Sequence, residues 1–264
     1  MKYIIDNDMH IHSYLSSCSN DPEQSTEAIL SFAEENGIKT LCLTDHFWDD
    51  SVPGASEWYK PQDFAHISRA LPLPQAKGIR FLFGCEADLD KFRTLGLSKE
   101  RISEFDFIVI STTHFHMKGF TLHDEEIKSP ETRAKAWVER LDSVFAMDLP
   151  FHKISLAHLA CRLIAPTREE LLKTLSLIPE AELVRVFRKA AELGVAIELN
   201  SSDMNFEDCE ADIILRPFRI AKQCGCKFCL GSDAHHPQQL SDALPRFSRA
   251  IDLLGLSEND KFVI

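Results

Sequence analysis

Tyr3-Ile4-Ile5-Asp6-Asn7-Asp8-Met9-His10-Ile11-His12 reads as a β-rich run over residues 3–9 that leads into two imidazoles spaced by one residue. On an extended chain, residues two apart point to the same side, so His10 and His12 share a face. The pattern returns near the other end of the chain, where a run over 227–231 leads into Gly231-Ser232-Asp233-Ala234-His235. Five further runs lie between, over 39–44, 79–85, 107–112, 153–157 and 195–199. They end in Thr44-Asp45-His46, Gly84-Cys85-Glu86, Thr112-Thr113-His114, Ala157-His158 and Glu198-Leu199-Asn200. Helical composition fills most of the intervals: over 25–36 up to Gly37, over 63–71, and over 130–147 behind Ser129-Pro130. It resumes over 168–175, over 180–193 up to Gly194, over 209–223 with a bend at Pro217, and over 241–254 up to Gly255. Gly just past a helix end and Pro in a first turn are the punctuation such helices use. Strand–helix alternation predicts parallel strands joined by right-handed crossovers. No G-x-G-x-x-G follows any run and no G-x-x-x-x-G-K-[ST] occurs, which removes the usual nucleotide-binding reasons for an open sheet. A barrel of seven β/α units would instead bring every strand end to one mouth, where barrel enzymes keep their sites. An α/β barrel is the predicted architecture.

The remaining composition agrees with one large domain over 1–264. The chain of 264 residues is 44% hydrophobic, enough for an ample core without staples. Its formal net charge of −12 argues against a surface built to coat nucleic acid or an anionic membrane. No apolar run approaches the roughly 18–20 residues of a membrane span, and the first residues turn acidic too early for a signal peptide. A cytoplasmic protein is expected. The eight cysteines fit that address. Cys224, Cys226 and Cys229 resemble a metal knuckle in spacing, but no fourth ligand lies nearby, so they read as a helix end entering a strand.

Taken alone, a His-x-His or an Asp-x-His is most often surface polarity. Delivery of His, Asp or Glu by six of seven strand ends to one mouth is a different matter, because unpaired polar groups do not gather without cause. His10, His12, His46, Glu86, His114, His158, Asp233 and His235 are the candidate metal ligands. Imidazole with carboxylate suits zinc, manganese or iron rather than calcium. The set exceeds what one tetrahedral ion takes, so two or three ions are implied. Glu86, alone among imidazoles, is a natural bridging carboxylate. Asp8 and Asp45 are placed behind the ligands, to fix the orientation of imidazoles. His116 competes with His114 and is expected at the pocket rim.

These residues resemble those of the polymerase-and-histidinol-phosphatase (PHP) family. Asp8-x-His10-x-His12-Ser13, Thr44-Asp45-His46, Gly84-x-Glu86, His114, His158, Glu198-x-Asn200 and Ser232-Asp233-x-His235 follow the family's order over nearly the whole chain. The resemblance implies a distorted seven-stranded barrel with a three-metal site. It implies that His10, His12, Glu86 and Asp233 hold one ion, that Glu86 bridges to a second held by His114 and His158, and that His46 and His235 hold a third. The third ion in the family takes one more His or Asp after the H-x-H motif. Asp21 is the candidate here, with Cys18 and Asn20 as alternatives, and capping of the helix begun by Pro22 is its competing role.

The activity so implied is hydrolysis of a phosphate ester by a metal-activated hydroxide, with Glu86, Asp233 and His235 as the catalytic groups. Arg162 and Lys118, four residues after His158 and His114, are candidates to hold the phosphate of a small substrate, with His116 and Asn200 beside it. Glu198 is left either behind the ligands or outside the pocket. Three rivals stay open: a histidinol-phosphate phosphatase, a metal-dependent C–N hydrolase, and a barrel that keeps metals without turnover. Trp48, Trp58 and Tyr59, in the loop after His46, either wall the pocket or pack on a helix.

Overall fold

The computed structural model describes residues 1–19 and 21–264; Asn20, one alternative to Asp21, lies outside them. The chain runs through β1 (Asn7–Ile11), α1 (Thr26–Asn36), β2 (Thr40–Leu43), β3 (His46–Phe47), α2 (Phe64–Ile67), β4 (Arg80–Asp88), α3 (Lys99–Ile102), β5 (Phe107–Ser111) and α4 (Pro130–Phe145). It continues through β6 (Ile154–Ala157), α5 (Arg168–Leu177), α6 (Glu180–Leu193), β7 (Ala196–Asn200), α7 (Ala211–Ile214), α8 (Arg216–Gln223), β8 (Lys227–Gly231) and α9 (Pro237–Leu254). Seven parallel strands stand side by side in the order β1-β2-β4-β5-β6-β7-β8, with β3 paired on the upper half of β4. The sheet nearly closes on itself: Asp233 N donates to His10 O at 2.8 Å and His12 N to Ala234 O at 3.1 Å, across the seam between β8 and β1.

Side chains alternate between the barrel interior and the helices outside. Ile108, Ile110, Leu156, Ile197 and Leu199 face out, under Trp137 and Leu141 of α4, Val186 and Phe187 of α6, and Phe218 of α8. Each such fully buried side chain contributes roughly 1.5–3 kcal/mol. The opposite phase builds the interior. Its lower layer is apolar, with Met9, Cys42, Leu82, Phe107, Val109, Ala157, Ala196 and Cys229 drawn from all seven strands, and Phe262 and Ile264 of the C-terminal segment packed below. Higher up the same phase turns polar, as in Leu82-x-Gly84-x-Glu86 on β4 and Ala196-x-Glu198-x-Asn200 on β7.

β1 achieves this change by a different device. Its register against β2 slips between Asp8 and Ile11, a bulge that resets the alternation. Met9 therefore reaches the interior floor, Ile11 turns outward to Ile29 and Leu30 of α1, and His10 and His12 point back inward at the mouth.

Three expected boundaries move. The first strand begins at Asn7 rather than at Tyr3, whose hydroxyl instead donates to Phe228 O at 2.9 Å and ties the entering chain to the outside of β8. The helix expected over 209–223 divides into α7 and α8, with Pro217 in the first turn of α8. The last helix starts earlier than expected, at Pro237, and carries Pro245 inside it. No helix among the described residues is long and apolar enough to cross a membrane.

Candidate metal centre

Each strand end contributes through its own backbone. His10 and His12 follow the bulge of β1, and His46 opens β3 directly opposite Glu86 in the β3–β4 ladder. His114, His158 and Asp233 lie just beyond β5, β6 and β8. His158 and Asp233 have φ of 36° and 53°. Left-handed backbone costs a residue with a side chain roughly 1–2 kcal/mol. Strain of this kind collects at functional sites, held by the surrounding fold.

The side chains converge on Glu86, which is 1% exposed. One of its oxygens, Oε1, is 2.9 Å from His158 Nε2 and 3.9 Å from His114 Nε2. The other, Oε2, is 2.8 Å from His46 Nδ1 and 3.5 Å from both His10 Nε2 and His12 Nε2. Asp233 Oδ1 lies 3.1 Å from His12 Nε2 and 3.5 Å from His10 Nε2. His12, His46 and His235 form a further group whose ligand atoms lie within 4.8 Å of one another, as do His10, His12 and Glu86, and Glu86, His114 and His158. Yet Glu86 Oε2 and His46 Nδ1, buried and 2.8 Å apart, form no aligned hydrogen bond with each other or with any other group among the described residues. Buried polar atoms are normally satisfied, so two such atoms amid converging nitrogens fit residues arranged around cations.

The electrostatics agree. Burial opposes charge on His10, but Glu198, Asp233 and Glu86 outweigh it and raise its proton affinity well above the usual imidazole range. Burial likewise opposes charge on His46, and Glu86 and Cys18 raise it. Burial pushes Glu86 and Asp233 up, yet the imidazoles around them, His46 and His10 for Glu86 and His10 and His12 for Asp233, hold both carboxyls well below the carboxylate range. Burial, His235 and His46 keep His12 neutral, with a lone pair to offer. The mouth attracts positive charge.

Behind the cluster, other groups fix each ring. His10 Nδ1 is 2.6 Å from Glu198 Oε1, and Glu198 Oε2 accepts from His158 N at 2.8 Å. Glu198 is therefore held inside, close behind His10 and His158. Gly231 makes the room, since a Cβ there would overlap the Glu198 carboxylate and crowd His10. His12 Nδ1 is 2.8 Å from Ser16 Oγ, which donates to Asp45 Oδ1 at 2.7 Å, so Asp45 acts on the ring through Ser16. His158 Nδ1 lies 2.9 Å from Thr113 Oγ1. His114 Nδ1 is 2.8 Å from Asp88 Oδ2, which also accepts from the Tyr59 hydroxyl at 3.2 Å. Fully buried Arg140 of α4 donates to Asp88 Oδ1 and to the carbonyls of Thr112, Thr121 and Leu89. Asp88 and Arg140 escaped the sequence reading. The signals were Glu86-x-Asp88, two carboxylates on one strand face, and an arginine on the apolar face of α4.

Three expectations are corrected. Asp8 accepts from the backbone N–H of Ser232 at 2.9 Å and of His10 at 3.4 Å, so it ties β1 to the end of β8 and orients no imidazole. Asn200 is fully buried, with its amide shared among Glu198, Asp233 and Ser202, and it does not line the cavity where a substrate would lie. Asp21 accepts from Glu23 N at 3.0 Å and pairs with His236 Nδ1 at 3.2 Å, in a turn that takes it away from His46 and His235. Cys18 lines the same cavity as His46 and His235. Burial raises its thiol, but His46 and His235 bring it down to about 7.

Above the cluster opens a cavity of about 740 Å³, walled by Trp58, Met117 and Phe120 and by Cys18, His46, His114, His158, Asp233 and His235. Trp58 stands edge-on to His46 at 4.9 Å between ring centroids, whereas Trp48 is buried in the protein. His116, Lys118 and Arg162 are exposed at the rim. Cys224, Cys226 and Cys229 do not converge, and all eight cysteines are free.

Known proteins share this arrangement of chain. The chain is 24% identical over 265 residues to a probable phosphatase of Clostridium botulinum, covering 98% of this chain and 89% of the relative. A probable phosphatase of a Thermoanaerobacter species is 24% identical over 269 residues, with the same coverage of 98% and 89%. Among solved structures, the histidinol phosphate phosphatase of Lactococcus lactis, complexed with zinc, L-histidinol and phosphate, superposes with a TM-score of 0.61 at 19% identity, covering 94% of each chain. That likeness establishes the barrel fold. The family model of the PHP domain matches residues 8–202, from the first carboxylate of β1 to the loop after β7. With about three-quarters of its length inside that match, the chain belongs to the PHP domain family.

Proposed function

We propose that this protein is a metal-dependent phosphatase, with residues 1–264 as one catalytic unit. The observation that carries the reading is the gathering of five imidazoles and Asp233 around Glu86, whose Oε2 meets ring nitrogens of His46, His10 and His12 at 2.8–3.5 Å without an aligned hydrogen bond. His10, His12, Glu86 and Asp233 would hold one divalent ion, Glu86 with His114 and His158 a second, and His46 and His235, with Cys18 beside them, a third. Zinc, manganese and iron suit these donors. When bound, such ions acidify water towards hydroxide near neutral pH and neutralise charge on phosphoryl oxygens.

The chain's own residues do the rest. Glu198, Asp88, Thr113 and the Ser16–Asp45 pair hold the ring nitrogens in place, so little reorganisation is needed when charge develops. Asp233, kept ionised by the imidazoles, accepts the proton of the attacking water on Oδ2, the oxygen turned away from His10 and His12. Water's oxygen forms the new P–O bond, the ester P–O bond breaks, and the leaving alkoxide takes the proton that Asp233 had accepted, which returns Asp233 to its carboxylate form. Arg162 and Lys118, in no ion pair among the described residues, hold the phosphate at the rim. Trp58 and Phe120 exclude water above it. Eight free cysteines suit a reducing compartment, the cytoplasm.

The test is hydrolysis of a panel of phosphomonoesters and diesters, histidinol phosphate included, before chelation, after it, and after return of manganese, zinc or iron. The expected result is turnover that the chelator removes and metal restores. Metal bound without turnover of any ester would overturn the reading.

A further inference from the structure

The cavity over the metal centre does not end at the imidazoles. It shares Arg162 and Ser202 with a second cavity of about 530 Å³ on the β6–β7 side. Arg162, Arg168 and Arg246 line this second space, with no Asp or Glu in the described lining. In a chain of net charge −12, three guanidinium groups around one void are a pronounced local exception. They come from unrelated places: the turn after β6, the first residue of α5, and the middle of α9. Their side chains are only partly engaged. Arg168 forks onto Glu210 at 2.9 and 2.6 Å, and Arg246 makes one hydrogen bond, at 3.2 Å, to Ser201 Oγ. Arg162 has no ion pair among the described residues. Glu210 neutralises Arg168, on which Asp203 also acts, so the surplus positive charge in the cavity rests on Arg162 and Arg246, neither of them in an ion pair among the described residues. The N-terminus of α5, capped by Thr167, adds its positive end beside them.

The geometry points to a substrate with two anionic groups: a phosphate ester cleaved at the metal centre, and a second phosphate or carboxylate held by Arg168 and Arg246 with Arg162 between the two sites. A guanidinium fork matches either oxyanion, whereas a cationic tail would be repelled by the three arginines. The inference rests on the phosphatase reading and names its substrate class. The second group is unchanged in the reaction and serves as an anchor whose binding positions the first.

The test uses metal-loaded protein and three series built on straight diols of two to six carbons: the monophosphates, the α,ω-bisphosphates, and the phosphates with a terminal carboxylate. At one chain length, kcat/KM for a doubly anionic ester is expected to exceed that of the matching monophosphate by about tenfold or more. Whether the bisphosphate or the carboxylate series leads identifies the second anion. Arg246→Gln should bring that ratio near one, and Arg168→Gln serves as the second variant, with circular dichroism to show both are folded. A ratio near one at every length in the unaltered protein, or a ratio that survives both substitutions, would overturn the inference while leaving the phosphatase reading intact. Calorimetric binding of α,ω-alkanebisphosphonates separates the opposite case. If no ester is hydrolysed yet bisphosphonate binding depends on Arg246, the anion site stands and the phosphatase reading falls.

Discussion

The floor and the mouth of the barrel are built from the same strands and the same side-chain phase, yet they obey opposite rules. At the floor, Met9, Cys42, Leu82, Phe107 and Cys229 fill the interior with apolar side chains, Ser155 being a polar exception, and Phe262 closes it, its ring 6.0 Å from that of Phe107. A few ångströms along β4 and β7, Glu86 and Glu198 bring carboxyl groups to the same interior, each nearly devoid of solvent contact. The floor lowers free energy by excluding water. The mouth raises it, with left-handed backbone at His158 and Asp233 and with buried atoms of Glu86 and His46 that meet without an aligned hydrogen bond. One end of the barrel stabilises, and the other spends stability on a site.

Substitutions can break this contrast. Phe107→Ala should have the largest effect, a loss of about 3–5 kcal/mol of folding free energy from the cavity it leaves. Chemical denaturation measures it, and turnover per folded molecule should stay the same. A fall in turnover as large as the fall in stability would mean that floor and mouth are one cooperative site. Glu86→Gln should do the reverse. Turnover should drop by more than about 100-fold, beyond the effect of losing a group behind the ligands, with the far-ultraviolet circular dichroism unchanged. A variant that keeps most of its activity would remove Glu86 from the centre of the mechanism.

Smaller changes sharpen the contrast. Glu198→Gln should weaken metal affinity by about 10–100-fold by loosening His10, read by competition with a chromophoric chelator. Unaltered affinity would show that the ring needs no partner at Nδ1. Asp203 is buried behind the mouth, with Oδ1 unpartnered among the described residues and Oδ2 accepting from Ala160 N at 2.8 Å. Burial raises its carboxyl to about 7, although His158 and the Ala160 N–H oppose the rise. In the fold it binds a proton that the unfolded chain has released, so stability falls as pH rises towards about 7 and levels off above. Asp203→Asn removes that slope. In chelated protein its advantage over the parent should grow between pH 5 and 8, by up to about 2 kcal/mol, and melting curves that stay parallel across pH would refute it. Cys18→Ser should cost least, less than about tenfold in affinity for the third ion. Its signature is loss of the sulfur-to-metal absorption band from cobalt-loaded protein, and a spectrum without such a band in the parent would exclude the thiolate.

Much of the centre was legible because residue type and position carry the same message. His10-x-His12, Glu86, His158 and Asp233-x-His235 sit where strands end, and strand ends converge in any barrel. What stayed hidden depended on how chains pass one another. Asp88 reads as one more acid until the His114 ring and Arg140 close on it. Asp21 is suited to the third ion by type, but the turn from Asp21 to Gln24 directs it to His236.

The sequence by itself determined the α/β alternation, the polar strand ends and the choice of metal-binding chemistry, because periodicity and side-chain chemistry are local properties. The tertiary structure alone decided the rest. A bulge in β1 lets Met9 and His10 both face inward, the space at Gly231 brings Glu198 to His10, and arginines from three distant segments meet at one cavity. These depend on register, clearance and the meeting of distant segments, which arise only when the sheet has curved into a barrel and its helices have packed around it.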